Sequence, residues 1–311
     1  MVGTHEAEPN SSKSLEYGLH TMLAPQLCID LNGLSLARNL PETLARLASM
    51  GYKAVAVSDP LPSDAKGTSI AAVELRAMLE TAGLAACAVR SKCDSLSLDP
   101  VGLNTEAWDR CLAHALALEV RELWLGGGIV PIEERERTER GVMPQAVSFW
   151  KRYAGRALDA GLRLLIDPRG LSEWTPTRLA QVLRGVDEPN FGLVFDTGMM
   201  ESLALASGYE SLVCGKPFRG ALGLVEFFKG DIGALILSEP ETTSAAKTNG
   251  QQALGAGSLD WSRLIPALID AWPPSTWWTV RCGDQNKLAA ESARFFQSRV
   301  VPSFADAVTP V

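Results

Sequence analysis

Three acids and one arginine stand where short apolar runs end. Asp167 follows Leu162–Ile166, Asp196 follows Phe191–Phe195, Glu239 lies just past Ile232–Leu237, and Arg281 closes Trp277–Arg281. Carboxylates so placed can take a proton from carbon or oxygen, and a guanidinium can stabilise the oxyanion left behind. The set points to proton abstraction next to a carbonyl, followed by reprotonation, elimination or cyclisation. Asp196 reads as the base or as the partner of a substrate hydroxyl, and equally as an acid kept only by neighbouring donors. Asp167 reads the same way. Arg281 also has two readings: an electrophile paired with Asp167 or Asp196, or an internal salt bridge filling the pocket. An arginine beside an acid lowers its pKa and weakens it as a base unless burial offsets the effect. Glu239 is expected to face solvent or to close over the site with the loop that follows.

A second ring of charge is set for substrate binding. Asp30 follows the first apolar run, Asp59 the second, Arg90 and Lys92 the third, and Arg169 stands beside Asp167. The cations could hold a carboxylate or phosphate; each alone could also be a solvated surface charge. Cys93 has no placed histidine to activate it, and neither GxSxG nor HExxH occurs. Gly126-Gly127-Gly128 fits a tight turn at a pocket mouth better than a phosphate cradle. Glu133 to Arg137 read as a solvated segment, and Trp272, Trp277 and Trp278 as core or contact residues.

Positioning these groups requires strands that end together. Strands are expected at Gln26–Leu31, Lys53–Val57, Leu84–Val89, Glu122–Leu125, Leu162–Ile166, Phe191–Phe195, Ile232–Leu237 and Trp277–Arg281. Between them the 3.6-residue pattern predicts helices from Pro41 to Met50, Ile70–Thr81, Trp108–Leu118, Pro144–Ala160, Pro176–Arg184, Ala221–Phe228, Trp261–Ala271 and Lys287–Gln297. Thr197–Phe218 is expected to be irregular or weakly helical. Eight strands alternating with eight helices argue for a single (β/α)8 barrel. A doubly wound sheet would carry a glycine-rich first turn, whereas Asp30-Leu31-Asn32-Gly33 has no GxGxxG. Residues 1–24 are expected to be a flexible extension, 25–300 the barrel and 301–311 a tail.

Apolar residues make up 46% of the 311, enough for a large core, and the net charge of -7 comes without a long basic run. Nucleic acid is therefore not expected as a partner. No apolar run reaches membrane-spanning length, and the polar start lacks the pattern of a signal peptide. A cytoplasmic protein with a small-molecule substrate is expected, with homo-oligomerisation left open. The six cysteines are scattered without CxxC, which favours buried free thiols.

Three segments carry a resemblance. Leu40–Val57 (LPETLARLASMGYKAVAV), Asn190–Gly198 (NFGLVFDTG) and Leu254–Trp261 (LGAGSLDW) resemble the xylose isomerase-like TIM barrels, the sugar phosphate isomerases and epimerases. The resemblance covers Gln26–Gln297, with LGAGSLDW its most specific part. It implies four ligands at the ends of strands five to eight, usually Glu, Asp, His and Glu, holding one divalent ion such as Mg²⁺ or Mn²⁺. Here the first position is Asp167, a methylene shorter, and the second is Asp196. The histidine common three residues later is Met199. The strand-seven histidine falls at about Ile236 and the strand-eight glutamate at Arg281. Isoleucine and arginine cannot bind a cation, and no histidine follows His114. Asp196 and Asp167 could hold only a residual metal site, and no cofactor is expected. The expected function is an isomerase or epimerase-like proton transfer on a polyol, keto acid or specialised metabolite, metal-independent and suited to a secondary-metabolite pathway. A metal-free cyclase or dehydratase is the second reading. A non-catalytic barrel that binds a metabolite or supports a partner subunit is the third, and an Arg281–Asp196 bridge sealing the pocket would favour it.

Overall fold

The computed structural model describes residues 25–31, 39–63, 68–91, 105–126, 139–167, 175–206, 212–213, 216–217, 220–240, 252–271, 277–281 and 286–308. Eight strands close into a parallel barrel: β1 (Gln26–Asp30), β2 (Ala54–Asp59), β3 (Ala85–Ser91), β4 (Glu122–Gly126), β5 (Arg163–Asp167), β6 (Phe191–Asp196), β7 (Ile232–Leu237) and β8 (Trp277–Val280). β8 pairs β1 with Gln26 opposite Trp277 and so shuts the cylinder. The strands are short and almost wholly buried, as expected when one face lines a barrel interior and the other lies under helices.

The helices explain their own boundaries. α1 (Leu40–Ser49) starts where the Asn39 side chain accepts from the Glu42 N–H at 3.2 Å, with Pro41 in the first turn. Its end is turned by Gly51, whose φ of 96° is costly for any residue with a Cβ. α2 (Ala72–Thr81) and α3 (Thr105–Ala117) follow. α4 spans Glu139–Asp159, five residues earlier than its expected start at Pro144. Proline suits a first turn, but here it sits in the second, at the cost of one helical hydrogen bond. α5 (Pro176–Val186) is capped by Thr175, whose side chain accepts from the Arg178 N–H at 3.2 Å.

Thr197–Ala206, expected to be at most weakly helical, is the regular helix α6. Its start is fixed by a contact that local propensity does not announce, described below. A pair of two-residue strands, Leu212–Val213 and Lys216–Pro217, precedes α7 (Gly220–Phe228). α8 (Trp261–Ala271) and α9 (Asn286–Phe295) complete the ring. A π-helical turn, Phe296–Val300, leads into α10 (Val301–Val308), within the segment set apart as a tail. All eight expected strands occur, each with its C-terminal end on the same side of the barrel.

Candidate functional site at the strand ends

The last residue of β6 organises the site. Asp196 Oδ1 accepts from the Met199 N–H at 3.1 Å, three residues on, and thereby caps α6. The same oxygen accepts from Ser238 Oγ at 2.6 Å. Asp196 Oδ2 faces Arg281 Nη1 at 2.8 Å, a charge contact rather than an aligned hydrogen bond. Arg281 is carried one residue past β8 and stays in the sheet, because its N–H donates to the Leu237 carbonyl at 2.9 Å. Its side chain is 10% exposed, that of Asp196 fully buried.

Ser238 and Thr197 stitch the ends of β6 and β7 together. Thr197 Oγ1 donates to the Ser238 carbonyl at 2.7 Å and accepts from its N–H at 2.9 Å. Ser238 Oγ accepts from the Gly198 N–H at 3.1 Å, and Arg281 Nη2 lies 3.4 Å from it. Gly198 has no room for a side chain: a Cβ there would run into the Glu239 backbone and lie 2.6 Å from Ser238 Oγ.

A second group adjoins the first. Arg90, from β3, donates from Nε to Asp167 Oδ2 at 2.5 Å and from Nη1 to Asp30 Oδ2 at 3.1 Å. All three side chains are buried. Burial pushes the Asp167 carboxyl up to about 6; Arg90 and Arg281 pull it down, while Asp196 and Asp30 add to the rise. Asp167 and Asp196 end neighbouring strands with different sets of partners. Asp196 is engaged by a guanidinium, a helix N-terminus and a hydroxyl. Asp167 is poised to exchange its proton near neutral pH.

Of the expected residues, the structure brings Asp30, Arg90, Asp167, Asp196 and Arg281 into this connected charge network. Glu239 goes elsewhere. It is buried rather than facing solvent, because its Oε1 accepts from the Gly255 N–H at 2.7 Å and from Trp261 Nε1 at 2.6 Å. Gly257 packs so closely on its Oε2 that a Cβ there would overlap it. The LGAGSLDW segment is therefore clamped to the barrel by Glu239. Asp59 is also committed away from the network. Arg110 of α3 grips its carboxylate at 2.9–3.2 Å, Cys111 Sγ donates at 3.2 Å, and His114 Nδ1 lies 2.9 Å away. Burial raises the Asp59 pKa, but these partners outweigh it and hold it below the usual value. Lys92 and Arg169, like Cys93, Gly127 and Gly128, lie outside the described residues.

Sequence reading missed Ser238, Thr197, Arg110 and His114. Ile236 does stand opposite Asp196 in the ladder, but it is buried and the side chain that reaches Asp196 is Ser238. The alternation of strand side chains could have found it, since Ser238 is two residues beyond Ile236.

The donor set does not suit the divalent ion that the resemblance implies. The strand-eight position carries a cation of its own, aimed at the one Asp196 oxygen not used for capping. Among the described residues no group of three or more His, Cys, Asp or Glu side chains could hold a metal.

A family model described as Xylose isomerase-like TIM barrel matches residues 44–299. The chain belongs to this family, and the closed eight-stranded barrel agrees with it. Similar solved structures include a xylose isomerase-like TIM barrel/4-hydroxyphenylpyruvate dioxygenase fusion protein, with a TM-score of 0.68 and 15% identity over 93% of this chain. The chain spans 45% of that fusion protein's length. An L-ribulose 3-epimerase gives a TM-score of 0.64 at 15% identity, covering 91% of this chain and 97% of the epimerase. A family 2 AP endonuclease from Brucella melitensis gives 0.63 at 16% identity, covering 88% of this chain and 99% of that one. At such identities the likeness is one of fold. No curated protein matches the chain. Among the described residues no helix is long and apolar enough to cross a membrane.

Proposed function

We propose that this barrel is an isomerase or epimerase-like enzyme that moves a proton next to a carbonyl without a divalent cation. The observation that carries this reading is the Arg281 guanidinium, 2.8 Å from Asp196 at the strand-eight end. Asp196, already fixed by capping, holds the guanidinium in place. Arg281 polarises the substrate carbonyl and stabilises the enolate oxygen. Asp167 accepts the proton leaving carbon, and the C–H electron pair moves toward the carbonyl oxygen. Return of the proton gives isomerisation or epimerisation; loss of a β-hydroxyl as water gives a dehydratase. The substrate is a small polyol, keto acid or specialised metabolite, handled in the cytoplasm at a pathway-specific step. Support comes from the family and from neighbours whose names are sugar epimerases.

The test is solvent exchange. The protein is incubated in D2O, with chelator, with a panel of ketoses and 2-keto acids, and deuterium entering carbon is followed by NMR. Exchange that survives the chelator and disappears in Asp167→Asn and Arg281→Ala is the expected result. Exchange that requires added Mg²⁺ or Mn²⁺ overturns the metal-free reading; exchange unaffected by both substitutions overturns the site.

A non-catalytic, metabolite-binding barrel is favoured by the same Arg281–Asp196 bridge, with the Asp196 and Asp167 carboxylates fully buried beneath their arginines. Thermal stabilisation by a panel member, with no exchange from any of them, would establish that reading instead.

A further inference from the structure

Deeper in the barrel two thiols meet. Cys28 on β1 and Cys87 on β3 are both buried, with their sulfurs 3.1 Å apart. The strands are not neighbours, since β2 lies between them. Two features let the side chains touch. Cys28 stands opposite Ala54 of β2, a residue whose side chain is a single methyl. The β2–β3 register then shifts: Val55 pairs with Ala86 and Ala56 with Ala88, so Cys87 is the extra residue of a bulge. A bulge re-aims its side chain, and here it brings Cys87 to Cys28.

We propose that Cys28 and Cys87 are an oxidation site that closes to an intramolecular disulfide under hydrogen peroxide or an equivalent small peroxide. A separation of 3.1 Å is inside the contact distance of two sulfurs, and bonding requires them to move about 1 Å closer. A peroxide is small enough to reach a buried pair where a bulky disulfide is not. The Cys28 sulfur takes one oxygen, breaking the O–O bond and giving a sulfenic acid and water. The Cys87 sulfur then displaces the hydroxyl, which leaves with the Cys87 proton as a second water. Two electrons pass from the two thiols to one peroxide. Burial and the neighbouring sulfur push the Cys87 thiol well above its usual pKa, which disfavours it as the sulfur that meets the peroxide first.

The bond would join the strands that carry the Asp30–Arg90 pair. Asp30 is two residues past Cys28, and Arg90 three past Cys87. Cross-linking would therefore fix the spacing of β1 and β3, which carry the Asp30–Arg90 pair beside Asp167, and would close a 59-residue span of chain.

The full-length protein is treated with hydrogen peroxide, unfolded, alkylated and mapped by mass spectrometry. The expected product is one species joining the Cys28 and Cys87 peptides, two hydrogens lighter and released by a thiol reductant. It is absent from Cys87→Ala, whose folding is checked by its melting curve. The melting temperature of the oxidised wild type should rise by about 5 °C or more and return on reduction. Recovery of both peptides fully alkylated, Cys28 carried on to sulfinic acid, or Cys28 joined to a different cysteine would each overturn the proposal.

Discussion

The ends of β2 and β6 look alike in sequence and differ in kind. Each is a buried aspartate closing a barrel strand, and each is gripped by an arginine. Among the described residues Asp59 takes its side-chain partners from one helix, α3, and its Arg110 is 44% exposed. Asp196 takes its partners from α6, from beyond β7 and from the end of β8, and its Arg281 is 10% exposed. The first arrangement ties a strand to the helix lying over it. The second gathers the ends of neighbouring strands, where a barrel does its chemistry. An acid at a strand end is thus an address, and the element supplying its partner decides what stands there.

The contrast is sharpest when each arginine is removed. Arg281→Ala leaves the Asp196 charge buried and unpaired, and should cost about 3–5 kcal/mol in denaturant unfolding. A loss below about 1 kcal/mol would show that Asp196 is held by its cap alone. The pH dependence of stability separates the two regions next. Asp167 has a folded pKa of about 6 against 3.8 unfolded, so its contribution is complete below the unfolded value and is lost as pH rises through 6. The decline should amount to about 3 kcal/mol and should be absent from Asp167→Asn. Asp59, with its pKa lowered, acts in the opposite sense: its contribution is present above 3.8 and is lost as pH falls through the folded value. Equilibrium unfolding from pH 3 to 7 in both Asp→Asn variants reads the two slopes, and parallel curves would erase the distinction. The smallest effect is expected for Arg110→Ala, at about 1 kcal/mol, because a half-exposed guanidinium is largely solvated and Asp59 keeps Cys111 and His114.

The barrel was legible because its signals are local. Apolar runs and the 3.6-residue pattern between them each declare an element within a few positions. The candidate acids and Arg281 were legible as strand-end residues for the same reason. Their partners were not. That Arg90 crosses to Asp167, that Ser238 reaches Asp196, or that Arg110 and His114 close on Asp59 depends on how separate elements meet. The α6 helix stayed hidden likewise: its cap is an acid that also reads as a strand-end catalytic residue. Glu239 shows the converse, an apparent rim acid whose carboxylate is bound by a loop backbone and an indole.

Because Asp196 starts α6 as well as facing Arg281, this acid answers to two masters. Whatever the chemistry beyond it, replacing this aspartate frays the start of the helix. The start of α6 accounts for an aspartate here without any metal, and its loss would weaken that helix end by about 1 kcal/mol. Position 281 starts no helix, so a change there is felt through the buried Asp196 charge and not through α6.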